Sequence, residues 1–531
     1  MRWCTLACPA VHIPGRSQQA GSQPRQGAAN CHQRNSIMEM TDSMKIPFSG
    51  KLLVLGCGSV SRCLQPLLLR HLAIDPARLT IMDFEDLRHL IPETMAAGAH
   101  YVQARITRDN LAATLAAHVG PGDLLIDLAW NIDCNAIVQW CHEQNVLYLN
   151  TSVEMWDPYE DAAGVPPAER TLYVRHMALR RLRAGWAEPG ATAVVEHGAN
   201  PGLVSHWTKV ALLDMAAALL KQARPKDKTR AAAIERALAD ENYAQLAMQT
   251  GVKVIHISER DTQISSQPKE VGEFVNTWSV AGFHEEGVAP AELGWGTHEK
   301  LLPPNAHVHH SGPCNQICLA QMGMNTYVRS WVPHGGEIIG MVVRHGEAFT
   351  ICDHLTVWNA QQAGALYRPT VHYAYMPTDA ALASLHELKM SGCELQARQR
   401  IMNDEITSGM DELGVLLLGH DLNGWWTGSQ LDIHAARALV PHQSATTLQV
   451  AASVLGALAW MIRNPRRGVC VPDDLPHRDV LAVANPYLGP CPSVQTDWTP
   501  LKNRFDPFER WSHKPRPAPD DVWQFASFVA W

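Results

Sequence analysis

A glycine-rich loop near the start of the chain has the residue types and spacing that bind the phosphates of a dinucleotide. Its sequence, Gly-Cys-Gly-Ser-Val-Ser, runs from Gly56 to Ser61 directly after an apolar stretch. The first glycine permits a tight turn, the second lets backbone amides approach a pyrophosphate, and Ser61 is a small third residue. We therefore predict cofactor contacts from Gly56, Gly58, Ser59 and Val60, although such a loop alone is a weak signal.

Asp83 adds a second feature of dinucleotide-binding sites to this loop. It ends the next apolar run, 79–83, where an acid accepts a hydrogen bond from the ribose 2′-hydroxyl of NAD. No arginine follows immediately that could accept the 2′-phosphate of NADP. The sequence therefore favours NAD over NADP as the cofactor.

Polar residues after two later apolar runs are candidates to line the nicotinamide half of the same site. Ala129, Asn131 and Asp133 follow the run 124–128, and Thr151 and Glu154 follow the run 147–150. In an open parallel sheet, ligands lie outside the carboxyl ends of the strands. We predict cofactor contacts from Ala129, Asn131 and Thr151, and walls for a cationic substrate from Asp133 and Glu154. For each acid taken alone, a solvated loop or a helix cap is an equally good explanation.

Alternating apolar and amphipathic runs predict the elements that position these residues. The predicted strands are 51–55, 79–83, 101–104, 124–128, 147–150 and 193–197, and the predicted helices between them are 62–72, 108–118 and 136–144. Repeated alternation of this kind predicts an α/β fold, a Rossmann-type doubly wound parallel sheet with both faces covered.

The second half of the chain predicts an inserted α+β domain on a largely antiparallel sheet. The segment 198–202, Gly-Ala-Asn-Pro-Gly, predicts a rigid hinge turn, and the charged stretch 224–230 predicts a surface loop. Further strands are predicted at 252–258, 274–280, 337–344, 348–352, 371–376 and 415–418, with a hairpin turn at 344–348, and helices at 385–390 and 448–463.

We predict four parts along the chain. A disordered or non-native extension covers 1–45, a nucleotide domain 46–200 and a substrate and dimerisation domain 201–384. The remaining residues, 385–531, are predicted to form a C-terminal helical segment that packs partly on the nucleotide domain.

Composition excludes several classes of function. The 531 residues carry a net charge of −8, which offers no basic field to nucleic acid or acidic lipids. The longest strongly apolar run, 451–462, is shorter than the roughly 20 residues of a membrane span. The 13 cysteines contain no CxxC pair, and three histidines beside Cys314 are better explained by a solvated loop than by a metal. We expect a cytoplasmic protein with no metal, nucleic acid or membrane partner.

Five segments occur together in a specific order. They are Gly-Ala-Asn-Pro-Gly at 198–202, Glu-Arg-Asp-Thr-Gln at 259–263, Asn-Thr-Trp-Ser-Val at 276–280, Gly282-Phe283 with Glu286-Gly287, and Glu-Leu-Gly-Trp-Gly-Thr-His-Glu at 292–299. Together they closely resemble the bacterial homospermidine synthases, which belong with the saccharopine-dehydrogenase-like reductases. The resemblance covers the chain from about residue 51 to the C-terminus. It implies a homodimeric enzyme that joins two putrescines, or putrescine and spermidine, into homospermidine with NAD kept as a prosthetic group.

The resemblance also implies roles for individual residues. It implies Asn200 beside the nicotinamide, Glu259 and Glu286 as acids that meet the amines, Trp278 as a cation–π wall and His345 in catalysis. We predict that Asn200 also binds the substrate and that Pro201 beside it contacts the cofactor. Glu299, with Trp295 and His298, is a further candidate near the substrate, because Gly294 and Gly296 suggest a close backbone approach. Carboxylates suit this chemistry because they bind ammonium groups and move protons, and an indole face stabilises an iminium without attacking it. The alternatives are a surface ion pair of Glu259 with Arg260, a core position for Trp278 and a solvated turn for His345.

Three functions remain in competition at this point. The first is the NAD-dependent polyamine synthase. The second is a dehydrogenase of the saccharopine or carboxynorspermidine type with net redox turnover, whose substrate carboxylates require Arg or Lys. The segments above contain acids and Trp rather than an arginine cluster, which favours the first. The third is an NAD-binding regulator without turnover.

Overall fold

Two β-sheets organise the part of the chain that the structure describes. The computed structural model describes residues 45–158, 164–223, 225–361, 364–508, 510–511 and 519–530. The predicted extension over 1–45 therefore lies outside the described residues, except for Lys45.

The first sheet is parallel and has seven strands, which confirms the predicted doubly wound fold. Its strands are, in spatial order, Val469–Cys470, Ala193–Val194, Leu147–Asn150, Leu124–Asp127, Leu52–Leu55, Leu79–Asp83 and His100–Gln103. The residues Leu52–Leu55 are all buried, as expected for a strand covered on both faces. The strand order reverses between Leu52–Leu55 and Leu124–Asp127, and this switch point opens a crevice above the glycine-rich loop.

Five α-helices of the described chain lie between residues 59 and 184, among the strands of this sheet. They are Ser59–His71, Pro92–Ala96, Leu111–His118, Cys134–Gln144 and Leu172–Ala184. The first begins directly after Gly58 and has Gly58 as its N-cap, so its amino end faces the crevice. The predicted boundaries of the strands and helices are right to within a few residues.

The second sheet is mixed, has ten strands and is antiparallel apart from one pair, as predicted. The main path is Ala306–Val308, Gln316–Met322, Pro290–Gly294, Thr370–Met376, Val254–Asp261, Met410–His420, Asn423–Asp432 and Ser493–Thr496, and the hairpin Tyr327–Val332 with Gly336–Met341 joins Thr370–Met376. The parallel pair, Thr370–Met376 with Val254–Asp261, lies at its centre.

Shorter pairs and further helices complete the described fold. The pairs are Ile46–Pro47 with Leu72–Ala73, Ile264–Ser265 with Ile406–Ser408, Glu273–Asn276 with Arg398–Ile401, and Val357–Trp358 with Ala365–Tyr367. The helices are Leu203–Lys221, Lys228–Ala239, Tyr243–Thr250, Val280–Val288, Glu347–His354, Asp379–Met390, Ile433–Leu439, Ala445–Arg463, His477–Ala484 and Phe525–Phe528.

Two of these helices are long and pack on strands of the second sheet. Leu203–Lys221 and Ala445–Arg463 are long and apolar enough to cross a membrane, but 67% and 89% of their apolar windows are buried inside the fold. The second packs on the helix Ser59–His71 and on strands of both sheets. These helices therefore have the burial of core helices.

Four sequence predictions require correction. The run 348–352 is not a strand, and 344–348 is not a hairpin turn, because Glu347–His354 is a helix. All of its residues from Glu347 to Cys352 are buried, and a short run without a polar face does not distinguish a strand from a buried helix. Of the predicted strand 274–280, only Glu273–Asn276 is a strand. Within the predicted loop 224–230, Asp227 caps the helix Lys228–Ala239.

Candidate active site

A groove of about 860 Å³ follows the switch point of the parallel sheet. Seven of the predicted cofactor residues line it: Gly56, Gly58, Ser59, Val60, Asp83, Ala129 and Asn131. The remaining three, Thr151, Asn200 and Pro201, line a second cavity that shares wall residues with the groove, among them Val60, Ala129 and Trp130. The structure therefore places all ten predicted cofactor residues along two adjoining spaces.

The glycine-rich loop leaves room for a pyrophosphate. Gly56 has φ +88°, and a β-carbon there would lie 2.8 Å from the Leu128 carbonyl oxygen. Beside Gly58 a β-carbon would meet no atom within 4 Å, so the amino end of the helix is open to a ligand. Asp83 Oδ2 accepts a hydrogen bond from the Cys57 amide at 2.7 Å, which holds its carboxylate beside the loop. This geometry fits a dinucleotide whose ribose lies against Asp83.

The groove also contains two residues that sequence reasoning missed. The guanidinium carbon of Arg105 lies 4.5 Å from the ring centroid of Phe84, and both residues line the groove beyond Asp83. Phe84 could have been predicted as a groove residue, because it directly follows Asp83 in the sequence. Arg105 could not have been predicted from the sequence alone, because it reaches the groove only through the pairing of the strand before it with Leu79–Asp83.

The adjoining cavity has a volume of about 200 Å³ and draws its walls from both sheets. It is smaller than the roughly 300–1,000 Å³ of sites for drug-sized ligands, so it suits a small metabolite. Six predicted site residues line it: Glu154, Asn200, Glu259, Trp278, Glu286 and His345.

Glu259 lies near the end of the central strand Val254–Asp261 and is buried. Its Oε2 accepts hydrogen bonds from the Tyr373 hydroxyl and, at 3.0 Å, from Asn200 Nδ2. Burial raises the pKa of Glu259 to about 8. This carboxyl is therefore neutral near pH 7 in the free site, and the surface ion pair with Arg260 is excluded by its burial.

His345 lies between two carboxylates. Its Nε2 is 2.9 Å from Glu286 Oε2, and its Nδ1 is 3.2 Å from Glu347 Oε1. Burial lowers the pKa of His345, but the two carboxylates outweigh it and hold the pKa well above its usual range. Burial raises the pKa of Glu286, against the opposing effect of His345. The imidazole is therefore held as a cation against Glu286, with Glu347 as a second carboxylate nearby.

Trp278 follows the strand Glu273–Asn276 and precedes a helix, so it is not the strand residue that the core interpretation required. It is half-buried and lines the cavity. Its indole nitrogen donates to the Tyr375 hydroxyl at 3.1 Å, and its ring lies 5.4 Å from that of Phe283. These contacts hold the indole in place beside the space where a cation would lie.

The cavity wall also holds two arginines, Arg175 and Arg344, which lie outside the five segments of the sequence analysis. Arg175 Nη2 lies 2.7 Å from Glu285 Oε1, and Arg344 binds the same oxygen. Burial raises the pKa of Glu285, but Arg344 and Arg175 outweigh it and lower the pKa to about 2. A single sequence does not show which arginines are buried, so the contact of Arg175 and Arg344 with Glu285 could not be predicted from it.

Glu154 is the acid of the cavity with spare hydrogen-bonding capacity. Its Oε1 accepts from the Ser152 hydroxyl at 2.5 Å, and its Oε2 has no hydrogen-bond partner among the described residues. Burial, followed by repulsion from Glu285, raises the pKa of Glu154 to about 7. An ammonium group in the cavity would supply the missing partner.

Two predicted substrate residues lie outside the cavity. Asp133 caps the helix Cys134–Gln144, accepting from the Ala136 amide at 2.8 Å. Glu299 is buried elsewhere, where it accepts from the Thr370 hydroxyl at 2.7 Å and from the Phe525 amide. Burial raises the pKa of Glu299 to about 7. The Glu299 carboxylate is thus used by the fold, whereas Asp133 caps its helix and also lines a neighbouring pocket of about 350 Å³ together with Glu154.

Comparisons with known proteins agree with this architecture. Residues 52–194 match the family model of the saccharopine dehydrogenase NADP binding domain, and residues 198–491 match that of the saccharopine dehydrogenase C-terminal domain. The chain is 42% identical to the homospermidine synthase of Blastochloris viridis, over 90% of this chain and 97% of that protein. It is 39% identical to that of Mesorhizobium japonicum, over 91% of this chain and 96% of that protein.

A solved structure shows the same similarity in three dimensions. The homospermidine synthase of Legionella pneumophila, solved in complex with NAD, superposes with a TM-score of 0.79 at 36% identity. The match covers 92% of this chain and 99% of that one.

Proposed function

The chain belongs to the homospermidine synthases within the saccharopine dehydrogenase family, and from this premise we propose the chemistry of its cavity. It joins two putrescines, or putrescine and spermidine, into homospermidine and releases ammonia or 1,3-diaminopropane. The observation that supports this most is that a groove with the features of a dinucleotide site shares a wall with a small cavity lined by acids and an indole.

NAD is the cofactor, and the loop around Gly58 and the carboxylate of Asp83 would hold its pyrophosphate and ribose. When bound, it supplies a reversible hydride acceptor for the amine-bearing carbon of putrescine. The overall conversion of two putrescines into homospermidine and ammonia has no net redox change. Substrate binding, orientation and proton movement are therefore the work of the chain's own side chains.

Two carboxyls on different walls are proposed to bind the diamine. Glu154 Oε2 has no hydrogen-bond partner among the described residues, and Glu259 is neutral until a cation arrives. An amine with a pKa near 10 must lose its proton before it attacks an imine carbon, and a buried carboxyl with a pKa near 8 suits that transfer. We assign Glu259 to accept the proton of the attacking amine, with Asn200 and Tyr373 orienting its carboxyl.

His345 and Glu286 are proposed to move the second proton. Ammonia leaves only after the amine nitrogen has been protonated, and an imidazolium held by a carboxylate at 2.9 Å is a suitable donor. Trp278 is proposed to stabilise the iminium cation through its π face, which cannot attack the electrophilic carbon.

A redox balance tests the proposal. Incubation with putrescine and NAD well below the putrescine concentration should form homospermidine and ammonia in equal amounts without lasting NADH absorbance. NADH formed in step with putrescine consumption would instead identify the net-redox dehydrogenase. Absence of both products would identify a regulator. The arginines of the cavity are the feature that a carboxylated substrate would need, but Glu285 occupies them.

The assembly and location of the enzyme stay predictions. A homodimer rests on the family resemblance, and sedimentation analysis measures it directly. A cytoplasmic location rests on composition and on the burial of the two long apolar helices inside the fold.

A further inference from the structure

The two arginines of the cavity wall are fixed independently of the acid between them. Arg175 Nη1 donates to the Val153 carbonyl at 2.9 Å, and Arg344 Nη1 donates to the Arg170 carbonyl at 3.2 Å. Their side chains are only 9% and 5% exposed. Backbone carbonyls from the nucleotide half therefore aim both guanidinium groups at one point of the cavity.

That point is filled by a carboxylate of the protein itself. Both guanidinium groups bind Glu285 Oε1, and the Trp130 indole nitrogen donates to Glu285 Oε2 at 3.4 Å. Paired guanidinium groups around one carboxylate are how proteins recognise the carboxylates of substrates. The wall thus has the form of a substrate carboxylate site whose occupant is a side chain.

The charge balance shows why this occupant matters for a diamine. Without it, the two buried guanidinium cations would lose their paired carboxylate and keep only the electrostatic influence of Glu154, Glu286 and Glu292. They would then repel a substrate that carries two ammonium groups more strongly. The lowered pKa of Glu285 keeps its charge at every working pH. A substrate bearing a carboxylate, in contrast, would find its natural partners already taken.

We propose that Glu285 is a specificity-determining residue: it occupies a two-arginine carboxylate site and so restricts the cavity to amines that lack a carboxylate. The proposal rests on the proposed function, because it assumes that a diamine binds in this cavity. Its removal should open a site for ω-amino acids and for small carboxylate anions.

The test compares Glu285→Ala, which empties the site, with Glu285→Gln, which fills the same volume without charge. Binding of putrescine and of ornithine, which is putrescine carrying a carboxylate, is measured by calorimetry on NAD-loaded protein. In Glu285→Ala, we expect the preference for putrescine over ornithine to fall by about tenfold or more. Millimolar formate should restore putrescine binding to Glu285→Ala but not to Glu285→Gln, at matched ionic strength with chloride.

An unchanged preference together with no effect of formate on Glu285→Ala would overturn the proposal. Should that variant fail to fold, Glu285→Gln decides, because its uncompensated arginines must weaken binding of the dication putrescine more than of the monocation butylamine. Equal losses for both amines would then reject the role of Glu285. If the unmodified protein makes no homospermidine, the proposed function fails, while the binding preferences still report on Glu285.

Discussion

Glu285 and Glu286 are consecutive in one helix, yet their carboxylates bind different cations. Glu285 pairs with two guanidinium groups, whereas Glu286 Oε2 lies 2.9 Å from His345 Nε2. Successive residues of an α-helix project about 100° apart, so one turn can present two acids to two parts of the same cavity. Glu285 therefore carries a fixed charge that two arginines neutralise. Glu286 instead pairs with an imidazole that can gain and lose a proton.

Glu286→Gln should move the pH dependence of turnover. The carboxylates of Glu286 and Glu347 together hold the pKa of His345 above its usual range against the effect of burial. Loss of one carboxylate lowers that pKa, so the alkaline limb of the kcat profile should move to lower pH by about one unit. Glu347→Gln is a second test, because it removes the other carboxylate and should move the alkaline limb in the same direction. A limb that stays in place in both variants would show that His345 is not the titrating donor.

Putrescine binding should release a proton near pH 7 from Glu259. Burial raises the pKa of this carboxyl to about 8, and an ammonium partner stabilises its ionised form. Affinity should therefore rise as the pH approaches about 8 and then level off. Calorimetry in buffers of different ionisation enthalpy measures the release.

Because the pKa of Glu154 is also raised, to about 7, Glu154→Gln separates the two contributions. Proton release that persists in Glu259→Gln and disappears in Glu154→Gln would contradict the assignment.

Trp278 should act through its π face rather than through packing. Trp278→Phe keeps a weaker π face, and Trp278→Leu keeps only apolar bulk. Loss of about 2 kcal/mol of transition-state stabilisation corresponds to roughly a thirtyfold lower rate for Leu, with Phe intermediate. Melting temperatures should fall only modestly, since the side chain is half-buried. Equal turnover by folded Leu and Trp enzymes would remove Trp278 from the reaction.

Asp83 should determine the preference for NAD over NADP. Its charge repels a 2′-phosphate, and its Oδ2 also accepts from the Cys57 amide at 2.7 Å. Asp83→Ala loses both features, while Asp83→Asn keeps an acceptor for that amide. Equilibrium binding of both dinucleotides should show a reduced preference for NAD in each variant. If only the Ala variant changes, loop geometry rather than charge sets the preference.

Glu299 should affect stability rather than activity. Burial raises its pKa to about 7, above an unfolded value near 4.3, so the folded chain binds the proton more tightly. This contribution is fully present below the unfolded pKa and is lost as the pH rises through about 7. Glu299→Gln should therefore flatten the decline of the melting temperature between about pH 5 and 7, with homospermidine formation retained. Loss of putrescine binding in the folded variant would restore Glu299 to the substrate site.

The nucleotide half was predictable because its signals are local. The loop at Gly56, the acid at Asp83 and the alternation of apolar runs each depend on residues that are close in sequence. Their positions follow from the rules of parallel sheets, and the structure confirms them. The family, and with it the cofactor, followed from short segments whose order is specific. The predicted domain boundaries and the roles of the site residues remain predictions.

Tertiary structure alone decided the partners of the charged side chains. Arg175 and Glu285 are 110 residues apart, and their contact exists only because two sheets close around one cavity. The same holds for Glu299, which the sequence placed near the substrate and the fold uses against Phe525. The helix at Glu347–His354 was missed because its buried residues carry no amphipathic pattern. Burial and long-range pairing set the charge state of these side chains. Neither produces a periodic or local pattern in the amino-acid sequence from which it could be predicted.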